Sequence, residues 1–480
     1  MFAPRLVTVL ALTIAALLAC AVPNAFAGRA QTSVFEDDHL LLNSGADVRD
    51  KTLDEVRALG ADTIHTLVMW DKIAPAPDST SKPAFDAANP DAYSNWGQWD
   101  GLVASAQARG FKVLLTPTGR APAWASECSG SVARRKTCSP RVADYADFVH
   151  AVGARYPSVT MWSFWNEPNH ASWLTPQTGR RAGIKVNEAA IRYRLLIKAG
   201  LRALGQTGHA SDVRLIGETA PLGSGHSTAP VDFYRELFCL DRDYRPFKGA
   251  AAKARRCSPR PHFAVSGVSH HPYTFGGVAK PSVTGRPGDA PIGALGRVTK
   301  VLDRAARYGI VARATPVYLT EFGYQTRPPD PFGVSLAEQA RYINQADYIA
   351  FLNPRIASVA QYTLRDDPAQ AGFNTGLRFA NGRAKPSLAA YALPVYVVKT
   401  NSGHGRIFGQ VRSAAGAPVT LEVQHRRGKS GAFTTVGEIQ TNPRGYFLQR
   451  FPRIAGQWRL KYAAGNAAGR TRYSRVAAAA

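Results

Sequence analysis

The feature that most constrains the fold of this chain is an alternation of short β-branched or aromatic runs with stretches of helical spacing. Eight such runs occur, at residues 32–38, 62–70, 111–119, 159–168, 213–221, 264–273, 315–324 and 357–367. Eight successive strand and helix units predict a parallel sheet that closes into a barrel, with the helices outside. A doubly wound open sheet is the alternative, but no glycine-rich phosphate-binding turn follows the first run.

Polar or aromatic side chains end most of these runs. They are Trp70, Thr118, Glu167, Glu218, His271, Tyr273, Glu321 and Arg365. A barrel gathers the carboxyl ends of all its strands at one mouth, whereas an open sheet brings together only those beside its switch point. The pattern therefore favours an α/β fold of the (β/α)8, or TIM, barrel type, with a functional site at that mouth.

The sequence pattern changes after residue 395. Short alternating runs separated by glycine and proline, without a helical pattern, predict a small all-β, immunoglobulin-like sandwich over residues 396–480. From Ser402 onward the chain holds 13 Lys or Arg against two Glu, so these residues carry +11 of the chain's net charge of +25. Two interpretations stay open: a module packed on the barrel, and one that holds the protein near an acidic cell-wall polymer. Trp458 favours the first, because a lone tryptophan is expected in the module's core.

The first 27 residues predict a secretory signal peptide. Arg5 precedes an apolar run, and residues 25–27 form an A-x-A cleavage site. A lipoprotein signal that would leave Cys20 lipidated is the alternative. The apolar run is too short to span a membrane, and no later run approaches its length. We therefore expect a secreted protein whose barrel domain covers residues 28–395.

The other four cysteines fall into two local pairs, Cys128 with Cys138 and Cys239 with Cys257. An even count in an exported chain predicts two disulfides, each closing a loop. A zinc site would need four ligands at tight spacing, and the two pairs lie far apart without histidines beside them.

The charge of the chain bears on its partners. Scattered basic residues, without zinc-finger spacing or a basic helix with heptads, argue against a nucleic-acid partner. We expect a monomer without a membrane span and without a metal or organic cofactor. His170, His270 and His271 could be taken for metal ligands. His270 and His271 are neighbours on one strand, however, so their side chains point to opposite sides and cannot bind the same ion.

Glu167 lies in the run MWSFWNEPNH, between aromatic residues and a proline. Cleavage of a glycosidic bond needs two carboxyl groups, one on either side of the bond, and Glu167, Glu218 and Glu321 are the candidates at strand ends. The aromatic neighbours would raise the pKa of Glu167, as a general acid requires. The amide of Asn166 is placed to hydrogen-bond a sugar hydroxyl. A salt bridge between Glu321 and Arg365 at the barrel mouth is the structural alternative.

Taken together, these motifs resemble those of clan A retaining glycoside hydrolases, in particular families 5 and 39. The resemblance rests on the N-E-P motif around Glu167, on H-x-Y at His271 and Tyr273, and on Glu321 at the end of the seventh run. It covers about residues 35–395, the barrel, and implies a TIM-barrel enzyme.

The resemblance implies roles for five residues. Glu167 would be the acid/base and Glu321 the nucleophile of a double displacement on a β-linked carbohydrate. Asn166 would bind the sugar 2-hydroxyl, and Tyr273 would hydrogen-bond the nucleophile, with His271 nearby. Glu218 is expected to support the site and not to react.

The chain departs from the family pattern at two strand ends. Tyr362 stands where many relatives place a tryptophan under the sugar, and His65 stands where many have arginine. Trp70 and Trp173 are further candidates for stacking on sugar rings.

Three functions stay open at this point. They are a secreted retaining β-glycosidase, a non-hydrolytic carbohydrate-binding or wall-associated protein, and a transglycosylase on the same barrel. Intact Glu167 and Glu321 favour an enzyme over a binding protein, but no residue selects the sugar.

Overall fold

The computed structural model describes residues 30–369, 373–400, 404–414, 416–451, 455–463 and 471–479. The expected signal peptide and Cys20 lie outside these residues. Within the described ranges, no helix combines the length and the apolar character needed to cross a bilayer.

Eight parallel strands form a closed barrel in chain order, with the first strand hydrogen-bonded to the second and the eighth. The barrel strands are Thr32–Glu36, Thr63–Met69, Lys112–Thr118, Met161–Trp162, Val213–Thr219, Gly267–His270, Val317–Leu319 and Ile356–Tyr362. Each coincides with one of the eight predicted runs, the last to within one residue. The predicted TIM barrel is confirmed.

Strand register sets which side chains share the mouth of the barrel. Glu36, at the end of the first strand, lies opposite Tyr362, at the end of the eighth. Six of the seven residues of the second strand, Thr63–Met69, are buried, because helices cover the outside of the barrel and side chains fill its inside. This burial on both faces explains why the strands read as nearly continuous apolar runs.

Helices follow the strands and pack around the barrel. The α-helices are Asp38–Leu42, Ala46–Ala58, Trp70–Ile73, Gly97–Ala108, Val132–Arg135, Val142–Arg155, Glu188–Gln206, Pro230–Leu237, Gly249–Ala254, Gly296–Ala306, Leu336–Leu352 and Pro386–Ala392, and short 3-10 turns cover Pro90–Ala92, Ala123–Ala125, Phe275–Gly277 and Ile292–Ala294. Side chains cap the longer ones: the Asn187 side chain accepts a 2.7 Å hydrogen bond from the backbone of Ala190, and Ser335 forms a capping box with Glu338.

The C-terminal region is an antiparallel β-sandwich, as predicted. One sheet contains Val395–Lys399, Gly405–Gln410 and Tyr446–Phe451, and the other contains Thr434–Gln440, Thr420–Arg426, Gln457–Ala463 and Thr471–Tyr473, with Ala477–Ala478 paired to the third of these. Trp458 is 3% exposed and packs in the core between the sheets with Val423 and Leu460.

Three arginines of the sandwich form ion pairs or hydrogen bonds with residues of the barrel. The guanidinium of Arg412 lies 2.7 Å from Asp347 and donates to the hydroxyl of Ser33 at 2.9 Å. Arg444 pairs with Asp62, and Arg475 donates to the Asn344 side chain at 2.8 Å. These three positive charges face the barrel, so part of the basic character of the sandwich serves packing.

Both predicted disulfides are present. Cys128 bonds to Cys138 with an S–S distance of 2.07 Å, and Cys239 bonds to Cys257 at 2.03 Å. The first closes the loop after the third barrel strand, on the side of the barrel mouth, and the second closes the loop before the sixth strand.

Candidate active site

A cavity of about 580 Å³ opens at the carboxyl ends of the barrel strands. Its lining comes from the carboxyl-terminal parts of seven of the eight strands and the loops after them. It includes Glu36, Asp38, Leu67, Asn166, Glu167, His170, Trp173, Leu222, Tyr273, Glu321, Tyr362 and Phe373. A second cavity, of about 330 Å³, lies at the amino ends of the strands and has no carboxylate among its described lining residues. Carboxyl groups that could act on a substrate therefore meet at the mouth.

The backbone around Glu167 has an uncommon conformation. Glu167 has a φ angle of 37° and Trp165 one of 61°, both in the left-handed region, which costs non-glycine residues about 1–3 kcal/mol. Two contacts hold this conformation: Trp165 donates from its backbone to Pro117 at 3.1 Å, and Glu167 donates to the Glu218 carbonyl at 2.9 Å. The turn places the Glu167 carboxyl in the cavity, with 20% of its side chain exposed.

His271 links three carboxyl groups. Its Nδ1 lies 3.3 Å from Glu167, and its Nε2 lies 2.8 Å from Glu218 and 3.5 Å from Glu321. Burial opposes the charged imidazole, but Glu321, Glu167 and Glu218 outweigh it and raise the pKa of His271 well above its usual value. These contacts favour the imidazolium form of the ring, which lies between Glu167 on one side and Glu321 on the other.

Glu218 lies behind this histidine and is fully buried. Burial would raise the pKa of Glu218, but the hydrogen bond from His271, with the charges of His65 and His271, lowers it to about 2. The Thr320 hydroxyl also donates to Glu218. Glu218 therefore remains ionised, and its contacts are with the protein.

Glu321 is 9% exposed and lines the cavity. The Tyr273 hydroxyl donates to its Oε2 at 3.2 Å. Burial, together with the charges of Glu36 and Glu167, raises the pKa of Glu321, against the opposing charges of His271 and His65. The ion pair of Glu321 is with His271, and not with Arg365 as the alternative interpretation held.

Two acidic residues at the end of the first strand were not among the predicted site residues. Glu36 Oε2 lies 2.5 Å from Nδ1 of His65, and Asp38 accepts a 2.7 Å hydrogen bond from the hydroxyl of Thr66. Burial raises the pKa of Asp38 to about 6 and that of Glu36 well above its usual value. The signal was present in the sequence, because the first run also ends in charged residues (Glu-Asp-Asp at 36–38).

The ring nitrogens of His65 decide whether this corner suits a metal ion. Glu36, His65 and Glu321 offer three ligand atoms within 4.8 Å of one another. His65 Nδ1 faces Glu36, however, and its Nε2 lies 2.9 Å from the hydroxyl of Thr116. Both nitrogens thus contact protein groups directly, which favours a structural contact over a metal site.

The structure separates the remaining predicted residues into two groups. Asn166, Trp173 and Tyr362 line the cavity, and the Asn166 Oδ1 is buried without a hydrogen-bond partner among the described residues. Trp70 is fully buried and stacks on Phe148 with ring centroids 5.1 Å apart, so it lies away from the cavity. It begins a helix that turns its ring into the wall between barrel and helices.

An aromatic wall completes the cavity. Tyr273 contacts Tyr362 edge to face with centroids 6.4 Å apart, and Phe373 packs on Tyr273 at 5.3 Å. Phe373 is 48% exposed and lines the cavity. Rings of this kind, beside carboxyl groups, can stack against the apolar faces of a sugar.

Comparison with known proteins supports the fold. No protein-family sequence profile matches the chain. No curated protein sequence matches it significantly. Among solved structures, a family 39 glycoside hydrolase from Bacteroides cellulosilyticus is 16% identical over 91% of this chain and 81% of that one, with a TM-score of 0.53. The barrel that the resemblance to clan A glycoside hydrolases implied is thus confirmed.

Other solved structures are less similar. A β-glucosidase from Exiguobacterium marinum is 15% identical over 75% of this chain and 96% of that one, with a TM-score of 0.43. A β-glucosidase from Trichoderma harzianum is 14% identical over 72% and 84%, with a TM-score of 0.42. TM-scores below 0.5 do not establish that these two enzymes share the overall fold of this chain.

Proposed function

We propose that the protein is a retaining β-glycosidase in which Glu167 is the acid/base and Glu321 is the nucleophile. The observation that carries the proposal is the contact of both carboxyl groups with one imidazole, that of His271, inside a cavity at the barrel mouth. Two carboxyl groups on either side of a substrate site are what glycosidic cleavage requires.

In the proposed reaction, Glu321 attacks the anomeric carbon while protonated Glu167 gives its proton to the departing oxygen. Glu167 then takes a proton from water, which attacks the same carbon and releases the sugar from Glu321. The Tyr273 hydroxyl and the cationic His271 hold the Glu321 carboxylate and stabilise its charge before the attack.

Three residues are proposed to bind the sugar. Asn166 presents an unpaired buried oxygen beside Glu167, where the 2-hydroxyl of a sugar on Glu321 would lie. Tyr362 and Trp173 line the cavity on two sides and offer ring faces for stacking. Trp70 is not part of this proposal because its ring is buried in the barrel wall.

The decisive experiment is to trap the covalent intermediate. A 2-deoxy-2-fluoro glycoside with a good leaving group should label the peptide that contains Glu321, as seen by mass spectrometry, and Glu321→Ala should not be labelled. Glu321→Ala should also lower kcat/KM on aryl β-glycosides and polysaccharides by about 10⁴-fold or more.

Glu438→Gln is the matched control, because this carboxylate is exposed on the sandwich. If wild type and Glu321→Ala hydrolyse every substrate at equal rates, the catalytic assignment is wrong. If label appears on another carboxylate, the nucleophile is misassigned.

We also propose that the chain is exported and that residues 1–27 are removed as a signal peptide. Two disulfides in the described residues support an oxidising compartment. A role for the sandwich in holding the enzyme near an acidic polymer stays a prediction, as does the monomeric state.

A further inference from the structure

The outer ring of the barrel carries a basic surface that the proposed reaction does not use. Its residues come from the segment between the helix Pro230–Leu237 and the sixth strand, and from the helix Gly296–Ala306 with the turn after it. We call its six cations the basic flank: Arg242, Arg245, Arg260, Lys300, Arg304 and Arg307. None of the six is among the described residues that line the catalytic cavity.

Two tyrosines join these cations into one surface. The ammonium of Lys300 lies 5.6 Å from the ring centroid of Tyr244, and the guanidinium of Arg304 lies 5.9 Å from it. The guanidinium of Arg260 lies 5.5 Å from the ring centroid of Tyr308. Both tyrosines are partly buried against the barrel core, so these contacts hold the loop and the helix side by side.

Arg242 and Arg245 belong to the same turn as Tyr244. The Asp241 carboxylate accepts hydrogen bonds from the backbone N–H groups of Asp243 and Arg245 at 2.9 and 2.8 Å, which closes this turn. The side chains of Arg242 and Arg245 are exposed. The turn therefore presents two more cations beside those that meet at Tyr244.

The basic flank lacks carboxylates that would neutralise it. None of its six cations forms an ion pair with a described residue, and the one acid of the helix, Asp303, pairs with Arg355 at 2.6 Å. Lys300 and Arg304 stand at positions i and i+4, where like charges repel each other and slightly destabilise a helix. The chain thus keeps a concentration of positive charge that packing of the barrel does not require.

The spacing and composition of the flank indicate the kind of partner. Lys300, Arg304 and Arg307 recur on one helix face over about 10 Å, so a row of negative groups fits them better than a single small anion. Neither residues 241–263 nor residues 296–308 contribute an exposed large apolar side chain of the kind that inserts into membranes or anchors protein interfaces. Arginine forks bind carboxylates with two hydrogen bonds.

We propose that the basic flank binds an anionic polysaccharide with carboxylate groups along its chain, and so holds the protein on that polymer. Complementary charge supports this partner. A glycan fits a chain whose barrel also carries a candidate sugar-cleaving cavity. That cavity has no Lys or Arg among its 20 described lining residues, so the flank, and not the cavity, offers arginine forks to the carboxylates. The inference does not depend on the catalytic assignment, because binding is measured without turnover.

The test measures binding of the full chain to polygalacturonate by isothermal titration calorimetry, with a neutral galactan as the uncharged polymer. We expect binding to polygalacturonate alone, weakened at least 10-fold when the salt concentration rises from about 50 to about 500 mM. A variant without four exposed cations of the flank should raise the Kd at least 10-fold. Its changes are Arg242→Gln, Arg245→Gln, Lys300→Gln and Arg307→Gln.

The matched control removes four exposed cations of the sandwich, so that the net charge changes by the same amount. Its changes are Lys399→Gln, Arg427→Gln, Lys429→Gln and Arg450→Gln. This control should change the Kd by less than 3-fold. Denaturant midpoints of both variants check that the fold is kept, as expected for exposed side chains.

The outcomes separate this inference from the proposed function. A loss of binding confined to the flank variant supports the inference whether or not any glycoside is cleaved. Equal losses in the two variants would show that net charge governs binding and would overturn it. Absent binding to polygalacturonate, or equal binding to the neutral galactan, would overturn it as well. If the flank binds single-stranded DNA more tightly than polygalacturonate, the surface belongs to a nucleic acid and the polysaccharide assignment is wrong.

Discussion

The hydroxyl of Tyr273 lies 3.2 Å from Oε2 of Glu321 and donates a hydrogen bond to it. A bond to a charged partner contributes about 1.5–3 kcal/mol, so Tyr273→Phe should lower kcat/KM about 10- to 100-fold. The bond favours the ionised carboxylate. Its loss should raise the pKa of Glu321 further and move the acidic limb of the kcat/KM profile to higher pH.

This shift distinguishes a role at the nucleophile from a loss of packing. Tyr473→Phe on the sandwich, 45% exposed, is the control and should keep both rate and profile. An unchanged acidic limb in Tyr273→Phe would show that the hydroxyl does not act on the ionisation of Glu321.

Glu218 should make the stability of the fold depend on pH. The pKa of Glu218 in the folded protein, about 2, lies below its ordinary value of 4.5, chiefly because the contacts of His271 outweigh burial. The ionised group therefore stabilises the fold above about pH 4.5, and this contribution is lost as pH falls from 4.5 towards 2. The full contribution is about 3 kcal/mol.

Glu218→Gln tests this linkage with a side chain of the same shape. Denaturant titrations at pH 7, 5 and 3 should show a gap in unfolding free energy between wild type and variant that narrows as pH falls. Removing the carboxylate also lowers the pKa of His271, so activity should fall as well. A gap of constant size at all three pH values would contradict the assigned ionisation.

The barrel could be predicted from the sequence because its signal is local. Each strand is a short apolar run and each helix has its own spacing, so eight repeats were visible without any long-range information. Once the barrel was inferred, closure alone brought Glu167, His271 and Glu321 to one mouth, although they come from the fourth, sixth and seventh strands.

The direction of each side chain at the barrel mouth could not be predicted from the sequence. Trp70 ends a strand as Glu167 does, but a helix begins at Trp70 and turns its ring against Phe148. Asp38 was overlooked because its place in the cavity depends on Thr66 of the neighbouring strand. Such contacts come from register and twist, which local patterns do not encode.

The disulfide between Cys239 and Cys257 should stabilise the fold appreciably. It closes a loop with a sequence separation of 18 residues, for which loss of chain entropy in the unfolded state corresponds to about 3 kcal/mol. The double variant Cys239→Ser with Cys257→Ser should therefore lower the free energy of unfolding by about that amount. Reduction of the wild type breaks both disulfides and should lower the free energy of unfolding at least as much. An unfolding midpoint that neither treatment changes would contradict the prediction.

Of the three arginines that contact the barrel, Arg412 should contribute most to the stability of the interface between sandwich and barrel. Its guanidinium is buried and contacts Asp347, Ser33 and the carbonyl of Tyr391 at 2.7, 2.9 and 2.8 Å. Arg412→Ala would leave Asp347, whose side chain is only 12% exposed, without its cation, and the loss of one partner of a largely buried ion pair costs about 3–5 kcal/mol. Chemical denaturation of the full chain measures this loss.

The pH dependence of the unfolding free energy and a second variant show whether the loss in Arg412→Ala comes from the unpaired Asp347. Burial already raises the pKa of Asp347, and removal of Arg412 would raise it more. The folded variant therefore gains stability, relative to wild type, as pH falls and Asp347 takes up a proton. Arg412→Met with Asp347→Leu removes both charges and should recover most of the loss, because a well-packed apolar pair replaces a buried ion pair at little cost.

Arg450→Ala, an exposed arginine on the same sandwich, should change the unfolding free energy by less than about 0.5 kcal/mol. If Arg412→Ala costs no more than this control, the buried pair does not hold the two domains together.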